Sequence, residues 1–214
     1  MNCMWLRSAK TKKIGEKEFD RIYRRAEKAK KRGDYETAIG LFDQLLVADP
    51  YDYGILNDRG LALFRIGNIK EAIRSFQKCI EVESAALAPC ANLGMVMLAS
   101  RRYDETIKYY DIVLKKDPTI IQAWHNKGEA LKLKRMFEDA VACYKKAIDL
   151  NSDYYMSYVA MADVLSRLGR VEESQQYMQK AVRLNSEYAM RWTLSNLAGE
   201  DLVEPSNMEA QLYQ

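Results

Sequence analysis

The chain has 214 residues, 48% of them hydrophobic and 29% charged, with a net charge of +3 at neutral pH. That balance excludes a disordered chain, and so small a net charge does not by itself imply a nucleic acid partner. No apolar run reaches the roughly 18 residues that a membrane crossing needs, so no membrane span is expected.

Residues 1–18 show no clean hydrophobic period and form a basic N-terminal segment. Its opening, MNCMWLRSAKTKK, places apolar residues ahead of basic ones, the wrong order for a secretory signal. From about Glu16 the spacing predicts a helix with Phe19, Ile22, Ala26 and Ala29 on one face. The other face carries Arg21, Arg24, Arg25, Lys28, Lys30, Lys31 and Arg32. Gly33-Asp34 breaks it, and Tyr35 to Ala48 reads as a second helix with Ala38, Leu41, Phe42 and Leu45 inward. Asp49-Pro50 ends that one, because a residue before proline is pushed out of the helical region.

The same cycle recurs four times. Tyr53 to Ile66 pairs with Ile69 to Val82, Leu87 to Ser100 with Tyr103 to Lys116, Ile121 to Lys134 with Phe137 to Leu150, and Tyr155 to Leu168 with Val171 to Leu184. Each segment has apolar residues at i, i+3, i+4 and i+7. Glu187 to Ala198 reads as one more helix, a cap over 189–199 that includes Trp192 and stops at Gly199. Residues 200–214, with four acids and a proline, read as a disordered acidic tail.

Self-similarity at a fixed period of this kind is the mark of a solenoid, in which no unit buries its apolar face alone. Aligned at 34 residues, the units are 19–52, 53–86, 87–120, 121–154 and 155–188. Position 4 holds Ile22, Leu56, Cys90, Trp124 and Tyr158, and position 8 holds Ala26, Gly60, Gly94, Gly128 and Ala162. Position 20 holds Ala38, Ala72, Thr106, Ala140 and Ser174, and position 24 holds Phe42, Phe76, Tyr110, Tyr144 and Met178. In these residues the chain resembles the tetratricopeptide repeat family, whose unit is a 34-residue helix–turn–helix. The resemblance implies an all-α, right-handed α-solenoid of five repeats with a C-terminal capping helix. One departure is local: the turn residue that is Gly33, Gly67 and Gly169 elsewhere is Arg101 and Arg135 in the middle repeats. If that position needs a positive φ, each arginine there costs on the order of 1 kcal/mol.

No catalytic constellation emerges: the sequence has no GxSxG, no Gly-rich phosphate loop and no HExxH. With one histidine and no CxxC pair, neither a metal site nor a cofactor is expected, and the chain is not expected to be an enzyme. Cys79, Cys90 and Cys143 fall inside amphipathic helices and read as small buried apolar residues, in keeping with a reducing cytoplasm.

The resemblance directs attention to the concave groove lined by the first helix of each repeat, and implies a scaffold that binds a peptide segment or helix of another protein. Family geometry would aim Asn57, Leu61 and Phe64, then Asn92, Met95 and Leu98, then His125, Asn126 and Glu129 into it. The centre would be apolar, with Asn57, Asn92 and Asn126 gripping a peptide backbone, since an amide donates and accepts at once. The carboxylate clamp of chaperone-binding members is not expected. Its positions hold Asn57 and Leu61, then Asn92, then Gln122 and Asn126, so the cations that would pair with a carboxylate tail are missing.

Charge supplies an alternative. Residues 1–35 hold 12 Lys and Arg against 5 Asp and Glu, which singles out Arg21, Arg24, Arg25, Lys28 and Lys31 as a basic patch. Such a patch suits an anionic partner, RNA or a membrane surface, although no interleaved aromatic residues support nucleic acid. Association of the basic end of one copy with the acidic end of another is a further expectation.

Overall fold

The computed structural model describes residues 15–187, so the expected capping helix at 189–199, the tail at 200–214 and most of the N-terminal segment lie outside it. Ten helices follow one another in the described chain: α1 Glu16–Lys31, α2 Tyr35–Ala48, α3 Tyr53–Arg65, α4 Ile69–Val82, α5 Leu87–Ala99, α6 Tyr103–Lys116, α7 Ile121–Leu133, α8 Phe137–Leu150, α9 Tyr155–Arg167 and α10 Val171–Leu184. The starts are those the periodicity predicts. Several first helices end a residue earlier, because the last predicted residue serves as the C-cap. Helices of 13 or 14 residues are marginal in isolation, so their stability comes from packing. The chain divides into two compact units, Met1–Asn92 and Leu93–Gln214.

Every turn from a first to a second helix closes in the same way. In α1, the Gly33 amide donates to Lys30 and the Asp34 amide donates to the Ala29 carbonyl at 3.0 Å. The same crossed pair recurs at Gly67 and Asn68, at Arg101 and Arg102, at Arg135 and Met136, and at Gly169 and Arg170. This closure requires a left-handed residue after the helix. Gly33, Gly67 and Gly169 supply it at φ between 76° and 78°, while Arg101 and Arg135 adopt it at 59° and 63°. The next helix is then capped by Asp34 in α2 and by Asn68 in α4, each accepting from a backbone amide of the first turn.

Within a repeat the two helices meet at a small residue facing a ring. Gly60 faces Phe76, Gly94 faces Tyr110 and Gly128 faces Tyr144, with each ring almost wholly buried. In the first unit, Ile22, Ala26 and Ala29 pack on Ala38, Leu41, Phe42, Leu45 and Ile55. In the second, Leu131, Ala140, Cys143 and Tyr144 pack on Ala160, Met161, Val164 and Leu165. Helix α5 differs from the others: every residue from Pro89 to Leu98 is buried. Its sequence, LAPCANLGMVMLA, is apolar nearly all round, the pattern of a buried helix.

Candidate functional site

The first helices of each unit carry the polar side chains that the family pattern aims outward. In the first unit, Lys30 of α1 lies 2.6 Å from Glu27 and 3.0 Å from Asp58 of α3. Burial pushes the Asp58 carboxyl up, and the Lys30 ammonium pulls it back only in part. Lys30 itself is held above its ordinary value: burial opposes its charge, but the hydrogen bond to Glu27 and the Asp58 charge outweigh it. One ammonium thus serves two carboxylates and leaves the trio with a net negative charge. Beside it Tyr23 is exposed, and Leu61 and Phe64 are half-buried.

The second unit repeats the device three periods later. Glu129 of α7 lies 2.8 Å from Lys132, which in turn lies 3.6 Å from Asp163 of α9. Asp163 also accepts from Arg167 Nε at 2.9 Å, and Glu129 accepts from the Tyr144 hydroxyl at 2.7 Å. Burial works against the charges of Glu129 and Lys132. Each is nevertheless held in its charged form by the other, with the Glu129 pKa lowered and the Lys132 pKa raised. Burial and the Glu129 charge together push the Tyr144 phenol well up. His125 Nδ1 sits 3.0 Å from Ser157 Oγ between the rings of Tyr144 and Tyr154. Burial drives its pKa down to about 4, against the pull of Glu129, so the imidazole is neutral near pH 7.

Several predicted groove residues are therefore not open to a partner. Asn92 is 2% exposed and donates its amide to Asn57 Oδ1 at 2.8 Å. Asn126 is 5% exposed and donates to the Tyr110 hydroxyl at 2.9 Å. Releasing such an amide to a peptide would leave a buried polar group unsatisfied, at about 1–3 kcal/mol. Met95, Leu98 and His125 are also buried. Of the groove residues singled out in the sequence, Asn57, Leu61, Phe64 and Glu129 keep surface. The residues missed were Lys30 and Lys132. Their signal was present: Glu and Lys recur at positions 9 and 12 of the first and fourth repeats, each followed by an aspartate in the next repeat.

The basic-patch residues Arg21, Arg24, Arg25, Lys28 and Lys31 are all exposed on α1. The three described cysteines are buried and unpaired by disulfides. Among the described residues no group of His, Cys, Asp and Glu side chains is placed to hold a metal ion, and no helix is long and apolar enough to cross a membrane.

This architecture, helix pairs closed by one recurrent turn and stacked through small-to-ring contacts, is that of a helical repeat solenoid. Tetratricopeptide repeat profiles match residues 23–86, 121–154 and 143–176, together more than half of the sequence. The chain belongs to the tetratricopeptide repeat family. It is similar in structure to "MamA 41-end from Desulfovibrio magneticus RS-1", with a TM-score of 0.74 and 18% identity over 81% of this chain and 98% of that one. A second MamA crystal structure gives a TM-score of 0.70 at 20% identity, covering 77% of this chain and 96% of that one. At such identities the likeness establishes the fold. Over 88 residues, 41% of this chain, the sequence is 24% identical to the Hsp70-Hsp90 organizing protein 3 of Arabidopsis thaliana and to the Hsp70-Hsp90 organizing protein of Triticum aestivum. The match spans about a sixth of the length of those relatives. Members of the family are typically non-catalytic, and this chain is a protein–protein interaction scaffold.

Proposed function

We propose that the chain holds a peptide segment or helix of a partner protein against its first helices, with the contact centred on α1 and α3 of the first unit. The observation that carries this reading is the state of Leu61 and Phe64. Both are apolar and half-exposed on α3, where a solvated helix face would be polar, and the exposed Tyr23 stands on α1. Apolar anchors with a few placed polar groups are what a peptide-binding surface needs. The Glu27, Lys30 and Asp58 trio favours a segment with an apolar anchor and a cationic side chain, because its carboxylates outnumber its ammonium.

The Hsp70-Hsp90 organizing proteins lend support only to a protein partner. A carboxylate-clamp role is not part of the proposal, since the one matching clamp residue, Asn92, already donates to Asn57.

A photo-cross-linking residue at position 61 or 64 tests the reading, with one at the exposed Val47 of α2 as control. The expected result is capture of the same protein from 61 and 64 in cell lysate and none from 47. Equal capture from all three positions, or capture from 47 alone, overturns it.

A further inference from the structure

Helix α1 carries its cations in an arrangement that the fold does not use. Lys17, Arg21, Arg24, Lys28 and Lys31 stand at i, i+4, i+7, i+11 and i+14, one straight stripe about 21 Å long. All are exposed, and Arg25 flanks them. Arg21 pairs with Glu18 at 2.7 Å, but Lys17, Arg24, Arg25, Lys28 and Lys31 have no hydrogen-bond or ion-pair partner among the described residues. Several cations elsewhere in the described chain are matched within their own helix or turn: Arg74 by Glu71, Arg102 by Glu105, Lys132 by Glu129 and Arg170 by Glu173. Like charges three and four residues apart destabilise a helix, so an unmatched stripe is a local inconsistency of the kind found at functional surfaces. Lys17, Asp20, Arg21, Arg24, Arg25 and Lys28 also line a shallow depression of about 430 Å³.

From this geometry we infer a second docking surface, on the outer face of α1, for an acidic helical segment of a protein partner whose carboxylates repeat with the same spacing. This site is independent of the α1–α3 face proposed above. An acidic helix presents carboxylates at i, i+4 and i+7, one row against the other, and three of the six cations are arginines suited to paired hydrogen bonds with carboxylates. A membrane surface fits less well, because a helix that lies on lipid exposes an apolar face. Phe19, Ile22, Ala26 and Ala29 of α1 are turned instead into its own core. Single-stranded nucleic acid fits less well too. Base stacking needs rings beside the cations, and Tyr23, the exposed ring on α1, lies about 120° round the helix from the stripe.

The test uses the full chain and three probes in physiological salt. The first is an alanine-based helical peptide with glutamates at i, i+4, i+7 and i+11, alongside a scrambled peptide of the same composition. The others are a poly-uridine oligonucleotide and phosphatidylserine vesicles, and the chain's own 200–214 peptide is run as a competitor. We expect the striped peptide to bind at least about tenfold tighter than the scrambled one, the effect of two or three exposed charge pairs. An Arg24→Glu/Lys28→Glu variant, whose altered side chains have no partners to lose, should abolish that preference while keeping its helical circular dichroism and its cross-linking from position 61. Equal binding of the two peptides, tighter binding of the oligonucleotide or vesicles, or displacement by 200–214 at lower concentration each overturns the assignment.

Discussion

A Cβ atom on Gly128 would stand 2.6 Å from Cε1 of Tyr144, inside any contact a real methyl group makes. The ring cannot withdraw, being buried on all sides with its hydroxyl bonded to Glu129. Gly60 stands in the same relation to Phe76, at 2.6 Å, whereas the nearest ring atom to Gly94 is 3.0 Å away. Gly128→Ala and Gly60→Ala should each destabilise the chain by about 1–3 kcal/mol through overpacking, despite the better helix propensity of alanine. Gly94→Ala should fall closer to neutral. Urea unfolding of the three variants checks the order, and a Gly94 variant as damaging as the other two would contradict it.

The left-handed arginines give the opposite sign. Arg101 and Arg135 hold φ at 59° and 63°, where their glycine counterparts carry no Cβ penalty. Arg101→Gly and Arg135→Gly should each stabilise by up to about 1 kcal/mol, reduced by the extra freedom that glycine gives the unfolded chain. Lys134, next to the second turn, pairs with Asp104, just after the first, so the double variant measures any coupling between the two turns as a departure from additivity. Thermal melts decide the matter: an unchanged or lowered Tm would mean that the arginine side chains hold these turns by contacts that outweigh the strain.

Acid should weaken the fold through the one imidazole. His125 binds its proton at about 4 in the folded chain but near 6.5 when unfolded, so the unfolded state takes up the proton first as pH falls. The stabilising contribution is complete above about pH 6.5 and is lost between 6.5 and 4, amounting to about 3 kcal/mol at the lower end. Glu129 is lowered as well and adds a loss of the same sign as pH falls through its folded value. Because the sequence has a single histidine, its proton resonance in an NMR titration is unambiguous. A midpoint near 6.5 would show that the ring is solvated.

The buried thiols should be inert. Burial pushes Cys79 up to about 12 and Cys143 to about 11, and Cys90 is 4% exposed. In a Cys3→Ser variant the native chain should release no colour from a thiol-reactive disulfide reagent at pH 8, and three equivalents should react in guanidinium. Prompt reaction of the native protein would show that one of these helices opens.

The repeat itself was legible in the residues. The 34-residue period, the i, i+3, i+4 stripes and the left-handed positions at 33, 67, 101, 135 and 169 rest on patterns set within one helix or one turn. The pairing of Gly60, Gly94 and Gly128 with rings 16 residues on joins two helices, and emerged only from the structure. The face that meets a partner was legible only in part. Asn92 and Asn126 carry the right residue at the right position, yet the neighbouring repeat covers one and a tyrosine hydroxyl claims the other. Whether a side chain on a first helix is open depends on what the adjacent helices bring against it, which no periodicity within that helix records. The sequence by itself determined the units and how each is closed. Tertiary packing decided which polar groups bind one another inside the fold, and so which of them remain for a partner.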